Sequence, residues 1–360
     1  MKNKVYLLVL LVGLFEILSC KKDSKQPIQQ QTTGKSLENG LSGFSIEDQL
    51  LPTIIDTGKN LITVVIPHAV SLKNLTVNFS LASQVSATIN NQPVTSGAVV
   101  DFTRLTYLTV TSADKKRSTS FEVSVQTDLF YEGLVGNVIA EKSLNKSYNF
   151  YYDQFDGTIW SSVNCGPAVA AMAAKWADST FNKTPGEARQ VYEPDGGEWS
   201  TRNIFDYLRD DNVDMEQYPT NNLDSLVKAN IDKGQPIIFC LDIYYVSVDN
   251  LTYHHVNKYY PSIQPGTGHF ILVKGYKQMQ NGFYLEVYDP WSQHLEYYPS
   301  IIPHEPFGQD RYYLDTDIKK ATDVWDATAY VIALKGKKVT NSLNISNAAK
   351  RQSIHLAYGR

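Results

Sequence analysis

Three side chains far apart in the chain have the types needed for nucleophilic chemistry: Cys165, His269 and Asp289. A thiolate, not a thiol, attacks a carbonyl carbon, so a reactive cysteine needs a base and a setting that favours negative charge. An imidazole supplies the base, and a carboxylate on its far side fixes its orientation. Cys165 stands in Asn164-Cys165-Gly166-Pro167-Ala168, at the head of a segment that runs to Trp176. The alanines favour helix, Pro167 suits the first turn, and Val169, Met172, Ala173 and Trp176 recur at helical spacing. The spacing predicts a helix with Cys165 at its positive end.

His269 follows Gly266-Thr267-Gly268 and opens an apolar run through Tyr276 that reads as a strand. Asp289 ends a second, alternating strand from Phe283, and Pro290 stops it. The two strands predict an antiparallel hairpin. With a turn centred on Met279, His269 and Asp289 oppose each other on one face. With a turn at Asn281-Gly282 they are offset by about five residues, too far to touch at about 3.4 Å per residue. A triad therefore requires the first register. Singly, each residue has a plainer reading: a packed thiol, a turn histidine, a strand-ending aspartate.

The elements between them must bring these residues together. Ser200-Thr201-Arg202-Asn203 starts a short helix through Leu208, and Asn222 to Ala229 reads as another. Ile237 to Ile243 is an apolar run expected of a buried strand. Cys240 inside it reads as inert core; the rival is a Cys165–Cys240 disulfide, which would remove the nucleophile. Adjacent His254 and His255 point to opposite faces of a strand and complete no metal-ligand pattern, so they read as loop residues near the cleft. Tyr259-Tyr260-Pro261-Ser262-Ile263 and Tyr297-Tyr298-Pro299-Ser300-Ile301 match over too short a stretch for a structural repeat. Thr328 to Leu334 predicts a last strand.

Together, Asn-Cys-Gly-Pro-Ala at a helix start, Gly-His-Phe-Ile-Leu-Val-Lys-Gly-Tyr and Tyr-Asp-Pro-Trp resemble family thirty-nine of the cysteine peptidases. These are the bacteriocin-leader-processing enzymes and their stand-alone relatives in the papain superfamily. The resemblance covers roughly residues 146–335. It implies an α+β papain-like cysteine peptidase domain with Cys165 as nucleophile, His269 as general base and acid, and Asp289 as orienting residue. It implies no metal or organic cofactor, and a peptide or protein substrate. The family also places a Gln before the Cys, whose amide serves the oxyanion hole. Gln154 is the match, with an inserted loop from Asp156 to Ser162; otherwise Gln154 is a surface residue and the hole uses the Cys165 N–H or Asn164. The same residues would serve acyl transfer to an amine, amide hydrolysis on cell wall, or a silent binding protein on the same fold.

The N-terminus carries an address. Lys2 and Lys4 precede an apolar run from Val5 to Leu14, too short to span a membrane. Ile17-Leu18-Ser19-Cys20 resembles a bacterial lipobox, which implies cleavage after residue 19 and a lipid on Cys20. Residues 20–41 are polar and read as a tether. Residues 42–127 show short alternating runs, such as Leu61 to Ile66 and Leu75 to Leu81, between turn signals. This predicts an all-β sandwich, which resembles the immunoglobulin-like modules of bacterial surface lipoproteins. Residues 128–145, with Gly133 and Gly136, read as a linker, and residues 336–360 as a polar tail. A formal net charge of −4 argues against nucleic acid as a partner. The expected setting is the cell envelope, outside the cytoplasm, with the membrane as partner through Cys20.

Overall fold

The computed structural model describes residues 40–262, 264–298, 304–326 and 330–338. The signal segment, Cys20, most of the tether and the tail beyond residue 338 lie outside the described residues.

The N-terminal module is all-β. One sheet joins β1 (Leu41–Ile46), β4 (Leu75–Leu81) and β7 (Ala98–Val100). The other joins β2 (Ile54–Asp56), β3 (Leu61–Ile66), β9 (Ser118–Thr127), β8 (Tyr107–Thr111), β5 (Ser86–Ile89) and β6 (Gln92–Val94). Strand alternation turns Phe44, Val77, Val64, Val110 and Phe121 into one shared core, which holds the sheets face to face.

The segment expected to be a linker is not one. It holds α1 (Asp128–Glu132) and β10 (Val138–Ser143), and β10 pairs antiparallel with a strand of the second domain. Gly133 ends α1 at φ 76°, and a Cβ there would lie 2.7 Å from Val256 Cγ1. Only glycine serves both needs. Tyr131 of α1 packs with Leu51 and Val65 of the module and with Tyr253 of the second domain. His68 of the module sits between Asp128 (3.0 Å) and Glu141 (3.2 Å). The two domains are thus joined by packed side chains as well as by chain.

The second domain mixes helix and sheet. Its helices are α2 (Cys165–Ala177), α3 (Pro185–Arg189), α4 (Thr201–Asp210), α5 (Leu223–Asp232) and α6 (Asp315–Trp325). Its further strands are β11 (Val213–Pro219), β12 (Ile237–Asp242), β13 (Gly268–Met279), β14 (Gly282–Tyr288), β15 (Arg311–Leu314) and β16 (Tyr330–Lys337). The sheet order is β11-β16-β12-β13-β14-β15, with β10 also on β13. β16 takes in Gly336 and Lys337, which were read as the start of the tail.

The sheet has a core on each face. Phe270, Leu272, Ile238 and Cys240 face α2, α3 and α4. Ile271, Val273, Phe239 and Leu241 face α5 and α6. Each such aliphatic side chain contributes about 1.5–3 kcal/mol when fully buried. Burial on both faces explains why these strands read as continuous apolar runs.

Candidate active site

Cys165 is the first residue of α2, with Asn164 as its cap. The first helical bond runs from the Ala168 N–H to the Asn164 carbonyl (2.9 Å). Pro167 has no N–H, so among the described residues the Cys165 and Gly166 N–H groups are left without a helical carbonyl. α2 is buried on nearly every side, wider than the expected stripe: Ala168, Ala170, Ala171 and Ala174 are as enclosed as Val169 and Met172. The alanines let neighbouring elements approach closely.

Gly166 has a steric reason. A Cβ there would lie 2.6 Å from the Cβ of Trp199, whose ring packs over this first turn. Gly166→Ala is therefore expected to lower the melting temperature. The helix-propensity gain of about 1 kcal/mol is outweighed by overpacking of about 1–3 kcal/mol against backbone-proximal atoms. A thermal melt checks this.

The hairpin follows neither of the two registers considered from sequence. Met279 pairs with Gly282, so the turn is Gln280-Asn281, and the ladder shifts by a bulge between Val273 and Gly275. Beyond it Leu272 pairs with Tyr288, and continuing the ladder sets Asp289 opposite Ile271 rather than His269. His269 lies two positions further along the same face, within diagonal reach. The contact forms all the same: His269 Nε2 donates to Asp289 Oδ1 at 2.7 Å. Asp289 has left the strand, which frees its side chain to lean across.

Asp289 is wholly buried and accepts four hydrogen bonds. Oδ1 takes the Trp291 N–H (3.0 Å) besides His269; Oδ2 takes the hydroxyls of Tyr260 (2.9 Å) and Tyr313 (2.5 Å). Burial pushes the carboxyl up, but the His269 charge and these donors hold it below its ordinary value. Burial pulls His269 down, yet Asp289, with Cys165 nearby, outweighs it and pushes the imidazole up to about 10. With Nε2 on Asp289, Nδ1 is the nitrogen left for Cys165. The rings of Tyr260 and Trp291 stand edge-on to the imidazole, each 6.4 Å away, and shut water from the pair. Sequence reasoning missed Tyr260 and Tyr313 as partners; only the first fell in a run singled out for its aromatics.

His269 shares its face with Ile271 and Val273, whereas α2 packs on the opposite face. Nucleophile and base meet around the end of the sheet. There a cleft of about 600 Å³ opens, lined by Cys165, His269, Trp199, Tyr260, Trp291 and Trp325 among others.

Gln154 lines this cleft and is fully buried, so it is no surface residue. Its amide Nε2 donates to the carbonyls of Ser161 (3.0 Å) and Ser162 (3.2 Å), and its Oε1 has no partner. Both N–H bonds are spent on the turn that leads to Cys165. Cys240 lines the cleft as a free thiol, pushed up by burial, and forms no disulfide with Cys165. His255 is buried, stacked on Tyr297 at 3.8 Å, and its Nδ1 donates to the Asp310 carbonyl (2.9 Å); His254 pairs with Asp249 (2.7 Å). Neither lines the cleft. Of the two matching tyrosine runs, Tyr260, Pro261 and Ser262 line it, and residues 299–301 of the second lie outside the described residues. Among the described residues no helix is long and apolar enough to cross a membrane.

Residues 41–125 match the family model described as SGBP, N-terminal, and residues 148–317 match the Peptidase_C39 like family. No curated protein matches the chain. A candidate C39-like peptidase from Bacillus anthracis is 12% identical over 55% of this chain and 100% of its own, with a TM-score of 0.35. A candidate secreted protein from Bacteroides fragilis is 24% identical over 21% of this chain and 68% of its own (TM-score 0.18). A candidate glycoside hydrolase from Bacteroides thetaiotaomicron is 10% identical over 86% of this chain and 100% of its own (TM-score 0.22). At these TM-scores none of the three informs the activity.

Proposed function

We propose that the C39-like domain of this chain, which follows an all-β module, is a cysteine peptidase in which Cys165, His269 and Asp289 act as a triad. One observation carries the reading: a buried imidazole bonded to Asp289 shares an open cleft with a cysteine that heads a helix. The Cys165 sulfur attacks the amide carbonyl, and a C–S bond forms as the C=O π pair moves to oxygen. The Cys165 N–H is the donor available to that oxygen. His269 gives its proton to the leaving amine, the C–N bond breaks, and an acyl-enzyme remains. Water then loses a proton to His269 and attacks; the acid leaves and the thiol is restored.

The test is alkylation of Cys165 by iodoacetamide across pH, on the whole chain and on His269→Ala. A thiol that reacts at neutral pH and loses that reactivity in the variant supports the reading. An unreactive Cys165, or one indifferent to His269, sinks it.

Gln154 separates two roles. Alkylation forms no oxyanion, so a pure oxyanion donor is dispensable for it. The two bonds to the Ser161–Ser162 turn favour a tie that sets the nucleophile. Gln154→Ala is therefore expected to slow alkylation and peptide hydrolysis alike, on the order of tenfold to 10²-fold. Parallel rate measurements check this.

We further propose that Cys20 carries lipid and holds the protein on a bacterial membrane outside the cytoplasm, where it meets peptide or protein substrates. Cys20→Ser should move the protein from the membrane to the soluble fraction; retention on the membrane would remove the anchor from the account.

A further inference from the structure

We infer that Arg189 is a positioning residue for Cys165, one that both fixes the turn before the nucleophile and sets an unneutralised positive charge behind it. This rests on the peptidase reading above.

Arg189 ends α3 and is 1% exposed. Its guanidinium spends its N–H groups on neutral oxygens. Nε donates to Asn164 Oδ1, Nη2 to the Val163 carbonyl (2.7 Å), and Nη1 to the carbonyls of Gly197 (2.9 Å) and Glu193 (3.2 Å). Val163 and Asn164 are the two residues before the nucleophile. Gly197 precedes Glu198 and Trp199, which line the cleft, and Trp199 packs on Gly166. One side chain therefore ties the approach to Cys165 to the segment that brings Glu198 and Trp199 into the cleft. A lysine has no such fork.

The charge is the second observation. A buried cation costs several kcal/mol unless it is paired, yet none of the described carboxylates forms an ion pair with Arg189. The groups that act on it are Cys165, Asp156 and Glu193. Asp156 makes no hydrogen bond to it and is linked through Asn164, whose Nδ2 donates to Asp156 Oδ2 (3.2 Å) and Thr158 Oγ1 (3.3 Å). Glu193 is exposed and offers its carbonyl. Burial pulls the guanidinium down, but arginine stays charged in proteins. The positive charge thus adds to that of the α2 start, where negative charge must develop on sulfur and on the oxyanion.

The experiment is the pH profile of Cys165 alkylation on the whole chain, with melts run alongside, for wild type, Arg189→Met, Arg189→Lys, Asn164→Ala and His269→Ala. Arg189→Met should slow the reaction at pH 7 about tenfold and move the half-rate point up by about 1 pH unit. Arg189→Lys keeps the charge but not the fork, so its rate should fall with the half-rate point near wild type. Asn164→Ala breaks one tie and leaves the cation; it too should lose rate without moving that point, and it carries the test if Arg189→Met does not fold. A folded Arg189→Met with the wild-type profile, or an Asn164→Ala at the wild-type rate, would overturn the inference. The His269→Ala arm is separate: indifference there removes the peptidase reading, whatever Arg189 shows.

Discussion

Cys165→Ser is expected to abolish peptide hydrolysis, by at least about 10⁴-fold, while the melting temperature holds within a few degrees. The substitution is nearly isosteric, and serine at pH 7 is a far weaker nucleophile than a cysteine paired with an imidazole. His269→Ala should cost a comparable amount, and the double variant little more, because the groups act as a unit. The assay is turnover of a peptide library by mass spectrometry, with site-resolved alkylation on the same samples. Cys240 supplies an internal reference: burial pushes that thiol up and keeps it unreactive, so of the two described thiols only Cys165 should take the label. Hydrolysis that survives in Cys165→Ser would place the chemistry elsewhere.

Asp289→Asn is expected to lower turnover by up to about 10⁴-fold, because the amide stabilises neither the imidazolium nor the right tautomer. The pH profile should change as well. In the wild type His269 is raised from 6.5 to about 10, so the charged ring persists well into the alkaline range. The stability it contributes is fully present below 6.5 and is lost as pH rises through about 10. Asp289 is held below 3.8; its contribution is present above that value and is lost as pH falls through its folded value. The pair is intact between these limits. In Asp289→Asn the alkaline loss should begin near neutral pH, as seen in melts taken from pH 5 to 11. A variant that melts in parallel with wild type at every pH would deny the pairing.

Much of the domain was legible in the sequence because helix and strand periods are local. The Cys165 helix, the His269 and Phe283 strands, and the Ser200 and Asn222 caps all follow from runs of a few residues. What failed were pairings. The β10 segment reads as linker because Gly133 and Gly136 precede it, whereas its partner strand lies far along the chain. The hairpin register turned on one bulge, which leaves no mark on apolar periodicity. Gln154 was singled out, but not that its amide is spent on Ser161 and Ser162. Arg189 passed unnoticed, since a surface arginine and a buried one are spelled alike.

The approach of nucleophile and base around the end of the sheet bears on when the protein can act. Cys165 belongs to the core on one face, His269 and Asp289 to the other, and more than half the domain separates them in sequence. No fragment made early in synthesis brings the three side chains together, because distant contacts form late. Built this way, the three side chains can act together only once the whole domain has folded.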